Sequence, residues 1–223
     1  MRILQWAFPF LPHQGGREVM VDTLSRELQK LGHQVLVATN TLGSDLLTLP
    51  YGLVRIDPVS PDEAIQAIRD FEPDIIHLHN YLHNSVVLLS ALGLKAKVVW
   101  TLHAEHKTSQ ETAAVARFKW VRENVSCIVA ISDFVKDSID QAKDFVGVPV
   151  QMIWNGTKNV TRSEPLGENI LFMGRIELEK GLGYLLASMF LLVQKHPDAQ
   201  LRVAGDGAFK GTFEKLATDL GIG

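Results

Sequence analysis

A strand–helix–strand pattern occupies residues 1–39, MRILQWAFPFLPHQGGREVMVDTLSRELQKLGHQVLVAT. Apolar runs at 2–8 and 34–39 predict two strands. Between them, apolar residues recur at intervals of three and four positions and therefore share one stripe of a helix, namely Val21, Leu24, Leu28 and Leu31. Two strands joined through a helix form the repeating unit of a parallel sheet, so this stretch predicts an α/β fold.

The same alternation continues as far as residue 154. Further strands are predicted at 53–56, 74–79, 97–102, 126–131 and 149–154, and further helices at 61–71, 84–92, 110–124 and 133–145. Strands of this kind need helices on both faces of the sheet, because they are apolar along their whole length. We therefore expect a complete, Rossmann-like N-terminal domain with a parallel sheet.

A second alternation follows a linker predicted at 157–168, TKNVTRSEPLGE, where the apolar periodicity is lost. It comprises strands at 169–174 and 199–207 and helices at 180–197 and 211–223. Two strands and two helices are too little to close a core. The expected domains are thus 1–165 and an incomplete second Rossmann-like domain at 166–223.

The composition excludes several classes of protein. The 223 residues are 46% hydrophobic and 21% charged, which is typical of a soluble globular chain. The 22 basic and 25 acidic side chains give a net charge of −3, so nucleic acid is not an expected partner. Pro9 and Pro12 interrupt the first apolar run, which is too short for a leader or a membrane span. We expect a cytoplasmic protein.

Polar residues and glycines lie at or just beyond the ends of five of the predicted strands. In open parallel sheets, ligands bind beyond the carboxyl ends of the strands, so these residues are the first candidates for a site. In chain order they are Gly15 and Gly16, His79, His103, Ser132, and Asn155 with Gly156.

Gly15 and Gly16 precede a helix, where backbone N–H groups and the helix dipole can bind a phosphate without an intervening side chain. A tight turn into the helix explains the same dipeptide without a ligand. Ser132 has a similar alternative, because a serine before a helix is a good N-cap.

The stretch MGRIELEKG, at 173–181, ends a strand with Gly174 and Arg175 and opens a helix near Lys180. A guanidinium and an ammonium at such a turn can hold a diphosphate. Surface pairing with Glu177 and Glu179 is an equal alternative. The nearby Gly205-Asp206-Gly207 is interpreted as a turn.

A metal site is not expected. His77 and His79 would share one face of a strand and could form a metal-binding pair. However, acidic residues are few nearby, and the sequence contains no DxD pair of aspartates.

Several stretches together resemble glycosyltransferase family 4, also called group 1, whose members have the GT-B architecture of two facing Rossmann-like domains. The similar stretches are, in order, PHQGGREVMVDTLSRELQKLGHQVLVAT, PDIIHLHN, VVWTLH, IVAISDFVKDSI, IWNGTKN and ILFMGRIELEKGLGYLLASMFLLVQKHPDAQLRVAGDG. The resemblance implies transfer of a sugar, such as a hexose, from a nucleotide-sugar donor to an acceptor. It also implies retention at the anomeric carbon and no metal or other cofactor.

The resemblance implies roles for individual residues. His103 matches the histidine beside the transferred sugar, and Arg175 and Lys180 match the pair that stabilises the departing diphosphate. Gly16 matches the glycine near the diphosphate and the acceptor. The family cleft is shaped at positions matching Asn155, Gly156 and Gly174. Residues His79, Glu105 and His106 are cleft candidates without an assigned role.

One departure from the family pattern affects the expected activity. Members carry two glutamates separated by seven residues, which contact the donor, and no glutamates in this chain have that spacing. We therefore expect the chain alone to be poorly active.

Two alternatives remain open. The chain could instead be a non-catalytic subunit or pseudoenzyme that binds a nucleotide sugar and needs a partner chain. A weak contact with the inner membrane surface through 113–124, AAVARFKWVREN, is a further hypothesis. The acceptor, whether glycan, lipid or small molecule, is not identified by the sequence.

Overall fold

The computed structural model describes the 223-residue chain except for residues 14, 80–84, 94 and 158–168 and the side chains at 45, 85 and 91. The chain divides into two compact units, Met1–Lys158 and Asn159–Gly223. The expected domain boundary at 165 and all but the first residue of the expected linker fall outside the described residues.

The first unit is built on a seven-stranded sheet in the order β3-β2-β1-β4-β5-β6-β7. All the pairings are parallel, as the sequence predicted. The strands are β1 (Arg2–Trp6), β2 (Gln34–Thr39), β3 (Gly52–Arg55), β4 (Ile75–Leu78), β5 (Lys97–Leu102), β6 (Val125–Ala130) and β7 (Val150–Met152). The helices are α1 (Gly16–Lys30), α2 (Asp62–Phe71), α3 (Ser85–Leu92), α4 (Thr112–Asn124) and α5 (Asp133–Ala142), with a short 3-10 turn at Ser44–Leu46.

Some elements end earlier than predicted. The helix expected over 133–145 stops at Ala142, because Lys143 adopts the left-handed conformation with φ of 57°. The strand expected over 2–8 ends at Trp6. These differences shorten the elements without changing their order.

The sheet is buried on both faces. Leu4 and Trp6 belong to a large apolar cluster on one side of β1, and Ala7 belongs to a second cluster with Phe10 and Val37. Successive residues of a strand point to opposite faces. Gln5 lies between Leu4 and Trp6, points to the face opposite to theirs, and is fully buried.

The aromatic residues of α4 pack against this core. Phe118 and Trp120 contact the large apolar cluster, and Trp120 Nε1 donates a hydrogen bond to Ser90 Oγ at 3.1 Å. These rings therefore stabilise the first unit. Among the described helices, none has the length and apolar character needed to cross a membrane.

The described part of the second unit, residues 169–223, contains two parallel strands and two helices. They are β8 (Ile170–Met173), α6 (Leu182–Val193), β9 (Leu201–Ala204) and α7 (Lys210–Asp219), with a 3-10 turn at Leu178–Lys180 before α6. The helix expected to begin at residue 180 begins at Leu182, because Gly181 is left-handed with φ of 77° and separates the turn from the helix. A small apolar core joins the elements through Ile176, Leu182, Leu186 and Phe213.

The turns that follow β8 and β9 are in close backbone contact. Ile176 N–H donates to the carbonyl oxygen of Asp206 at 2.8 Å, and Phe209 N–H donates to that of Ile176 at 3.2 Å. A Cβ atom added to Gly207 would collide with the backbone of Ile176, and one added to Gly205 would collide with Gly174. Both glycines are therefore required by close packing.

We expect Gly207→Ala to destabilise the second unit by about 1–3 kcal/mol, the usual cost of overpacking. Amide hydrogen exchange in β8 and β9 measures the effect, and exchange should become faster. Gly211→Ala in α7 is the matched control, because its added Cβ meets no atom within 4 Å and alanine favours a helix. Equal protection in wild type and Gly207→Ala would contradict the packing argument.

Candidate functional site

Three histidines lie together at the carboxyl ends of the central strands. His77 is in β4, His79 follows β4, and His103 follows the neighbouring β5. The ring centroids of His77 and His79 are 4.0 Å apart, and His79 Nδ1 lies 3.3 Å from His103 Nε2. His77 Nε2 is 2.7 Å from Thr101 Oγ1 on β5. The structure thus brings together two predicted site residues, His79 and His103.

Gln5 completes this group, although it was not among the residues predicted from the sequence. Its Oε1 atom lies 2.6 Å from His79 Nε2, and the exposed fractions of Gln5 and His79 are 0% and 1%. A single amide within the apolar run RILQW was the signal that could have revealed it. The side chains are brought together by pairing of adjacent strands, since Gln5 and His77 are in register.

The histidines are held neutral. Burial lowers the pKa of His77 to about 4. Burial, helped by the nearby Arg17 guanidinium, lowers the pKa of His103 to about 4. Burial also lowers the pKa of His79 well below its ordinary value. At neutral pH these rings can donate and accept hydrogen bonds but carry no charge.

The first turn of α1 lies beside His103 and contains an ion pair whose carboxylate is buried. Glu18 Oε1 is 3.2 Å from Arg17 Nη2 and 3.7 Å from His13 Nδ1, and the Glu18 side chain is 4% exposed. The Glu18 carboxylate folds back against Gly15, where it would collide with any added Cβ. A Cβ at Gly16 would meet no atom within 4 Å. Of the two glycines, Gly16 is therefore the one with open space for a ligand.

Arg17 supplies positive charge at this edge of the sheet. It lines a small pocket together with His79, Thr101 and His103. Neither Arg17 nor Glu18 was a candidate in the sequence analysis. A pair of opposite charges directly after two glycines at a helix start was the available signal.

Other predicted residues of the first unit have structural contacts. Ser132 Oγ accepts a hydrogen bond from Val135 N–H at 3.3 Å and caps α5. Asn155 and Gly156 follow β7 and are exposed. Ligand contacts at these three residues stay predictions.

His106 has a structural role, because it joins two segments of the first unit. Its ring is buried, and Nε2 lies 2.8 Å from Asp144 Oδ2. Its backbone N–H donates to Ser138 Oγ on α5 at 2.9 Å. These contacts fasten the segment after β5 to α5 and its C-terminal end. By contrast, Glu105 is half exposed and lies 3.6 Å from Lys107 Nζ.

The predicted residues of the second unit lie between β8 and α6. Gly174 follows β8 directly, and Lys180 is the last residue of the 3-10 turn before α6. Arg175 Nη2 contacts Glu179 Oε1 at 3.4 Å, and both side chains are exposed. An exposed pair at this distance contributes about 0–1 kcal/mol, so a bound anion can readily replace Glu179.

No group of three or more potential metal ligands is found among the histidine, cysteine and acidic residues that the structure describes. This finding concerns protein ligands only.

The low pKa values predict an acid-sensitive first unit. His77 and His103 titrate near pH 4 in the fold and at about 6.5 when unfolded, so the unfolded state binds more protons between these values. The free energy of unfolding should therefore fall as the pH drops from 6.5 to 4. Denaturant titrations at several pH values measure this slope.

His77→Gln removes one titrating group and keeps a polar atom near Thr101. The variant should show a shallower pH slope than wild type. An unchanged slope would contradict the assignment of a buried, neutral His77.

Curated relatives of the chain are glycosyltransferases. It is 31% identical over 160 residues to the putative glycosyltransferase YtcC of Bacillus subtilis, covering 63% of this chain and 39% of the relative. It is 25% identical over 221 residues to a phosphatidyl-myo-inositol mannosyltransferase of Mycolicibacterium smegmatis. This match covers 86% of this chain and 56% of the relative. The chain thus spans about half the length of these two relatives.

Solved structures give the same fold. Anabaena Alr3699/HepE in complex with UDP and glucose has a TM-score of 0.74 at 19% identity, covering 100% of this chain and 67% of that one. Sucrose-phosphate synthase of Thermosynechococcus elongatus has a TM-score of 0.72 at 18% identity, and the match covers 100% of this chain and 68% of that one. The predicted GT-B fold is thereby confirmed.

Two family descriptions match along the chain. Glycosyl transferases group 1 matches residues 158–223. Glycosyltransferase Family 4 matches residues 14–158, which is well over half of the chain. The chain therefore belongs to glycosyltransferase family 4.

Proposed function

We propose that the protein transfers a sugar from a nucleotide-sugar donor to an acceptor, with retention at the anomeric carbon and without a metal ion. The observation that carries this proposal is the turn between β8 and α6, where Arg175 and Lys180 are exposed beside a helix N-terminus. Structural neighbours solved with UDP and with UDP-glucose support a nucleotide-sugar donor.

The proposed role of this turn is to stabilise the leaving group. A nucleoside diphosphate gains negative charge as the bond to the sugar breaks, so fixed positive charge lowers the barrier. The Arg175 guanidinium can bind two phosphate oxygens, and the Lys180 ammonium adds a second charge. The backbone N–H groups that open α6 at Leu182 contribute in the same direction. Together these groups can supply the positive charge that a divalent cation would otherwise provide.

In the first unit, the proposed role of the histidine group is to bind sugar hydroxyls. His103 is neutral and half-buried, so it can make a directional hydrogen bond without attracting phosphate. The open position at Gly16 leaves room for the acceptor or the donor near the same strand ends. Its neighbour Arg17 can bind an oxygen of either substrate.

We propose further that this chain alone transfers sugar poorly. It has no two glutamates with the family spacing, so the donor's ribose and sugar would lack those contacts. Activity of a longer chain, extended to the length of the relatives, is therefore the test of the proposed reaction. Product NMR should show a retained anomeric configuration, and EDTA should leave the rate unchanged.

The leading prediction concerns the two cations of the second unit. In the longer chain, we expect Arg175→Ala or Lys180→Ala to lower kcat by about 10²–10³, the usual effect of removing one group that stabilises developing charge. Steady-state assays with a panel of nucleotide sugars measure this loss.

Lys195→Ala is the matched control, because Lys195 is an exposed cation beyond the opposite end of α6. Its kcat should stay at the wild-type value. Full activity of Arg175→Ala would contradict the proposed role of the turn.

A second candidate function is that of a non-catalytic subunit that binds a nucleotide sugar and a partner chain. One face of the β8–β9 sheet favours it, because Leu171 and Met173 are 63% and 81% exposed and lie beside the exposed Arg202 and Ala204. Bare apolar strand faces are sites of association.

Sedimentation velocity separates the two candidates. A partner-dependent subunit should self-associate or bind a second chain, and Leu171→Lys with Met173→Lys should abolish the association. A clean monomer at all concentrations would argue against this second function.

A further inference from the structure

Three side chains from three adjacent strands form a continuous hydrogen-bonded row. Gln5 belongs to β1, His79 follows β4, and His103 follows β5. The distances are 2.6 Å from Gln5 Oε1 to His79 Nε2 and 3.3 Å from His79 Nδ1 to His103 Nε2. The row therefore begins deep within the sheet and ends at a residue that lines the pocket.

The hydrogen-bonding capacity of Gln5 determines which ring nitrogen carries the proton in His79 and in His103. The amide oxygen of Gln5 can only accept, so His79 must carry its proton on Nε2. A neutral imidazole carries its proton on one ring nitrogen only, so His79 Nδ1 has none and accepts a hydrogen bond from His103 Nε2–H. The remaining nitrogen, His103 Nδ1, is then without a proton and is itself an acceptor.

Stability alone does not account for Gln5. Its Nε2 amide is buried and makes no hydrogen bond to the part of the chain that the structure describes. A buried donor without a partner disfavours folding, and a methionine of similar length would avoid that cost, although it would leave His79 Nε2 without its acceptor. The amide instead provides the one feature that methionine lacks, which is an acceptor for His79.

We propose that Gln5 is a positioning residue that acts through His79 to hold the proton of His103 on Nε2, so that Nδ1 accepts a hydrogen bond from a substrate hydroxyl. The proposal rests on the proposed function, in which His103 binds the sugar. It predicts a preference for a substrate that offers a hydroxyl donor at this point over one that offers only an acceptor.

The tautomers can be measured without any substrate. In the chain labelled with ¹⁵N-histidine, long-range ¹H–¹⁵N correlation spectra near pH 7.5 distinguish the protonated ring nitrogen from the other. In wild type, we expect the proton on Nε2 in both His79 and His103. In Gln5→Met, His79 Nε2–H would lose its acceptor, so its proton should move to Nδ1 and donate to His103. The proton of His103 should then move to Nδ1.

Thr101→Val is the matched control. It removes a buried hydrogen bond from the neighbouring His77 on the same face and leaves the row intact. The tautomers of His79 and His103 should therefore stay as in wild type. Cooperative thermal unfolding of each variant establishes that the spectra report folded protein.

Two results would overturn the proposal. One is a wild-type proton on His103 Nδ1, and the other is an unchanged His103 tautomer in folded Gln5→Met. Should Gln5→Met fail to fold, Gln5→Leu provides the same comparison.

Sugar transfer in the longer chain is measured separately. Gln5→Met should lower kcat/KM by about tenfold, the size of one hydrogen bond, in protein that still unfolds cooperatively. If wild type shows no transfer but the tautomers switch as expected, the proposed function fails and the positioning of His103 stands. If transfer is normal in Gln5→Met, the link between Gln5 and the reaction is refuted.

Discussion

The burial of both faces of the central strands is the constraint on which the first unit depends. Leu4 and Gln5 are consecutive, point to opposite faces, and are both fully buried. A polar side chain in such a strand has no access to water and must find a partner inside the protein. The partners of Gln5 and His77 come from neighbouring strands, so the sheet that forms the core also aligns the polar group at its edge.

Much of the fold was predictable because buried parallel strands are apolar along their length. The strands β2 and β5 were predicted to the residue, and the helix over 16–30 was predicted from its apolar stripe and the glycine at its start. Element ends were harder, because they depend on single backbone conformations such as the left-handed Lys143. That conformation has no distinctive sequence signal in a lysine.

The candidate site was predictable only where it follows the ends of strands. His79 and His103 were found in this way, and the structure places them in contact. Gln5 was missed because its partner is 74 positions away in the chain, and only the strand order reveals the pair. His106 lies only three positions beyond His103 but turns towards Asp144, since a few residues beyond a strand the chain can face either the pocket or a helix.

The two units hold their charges in different surroundings. In the first unit, Glu18 is buried and partly cancels the charge of Arg17, whereas Arg175 and Lys180 in the second unit are exposed. At 0.1 M salt, mobile ions largely screen the interaction of exposed charges that are more than about 10 Å apart, and they act much less on buried charges. Raising the ionic strength should therefore weaken the binding of anions to the second unit. Binding at the histidines of the first unit should depend little on salt.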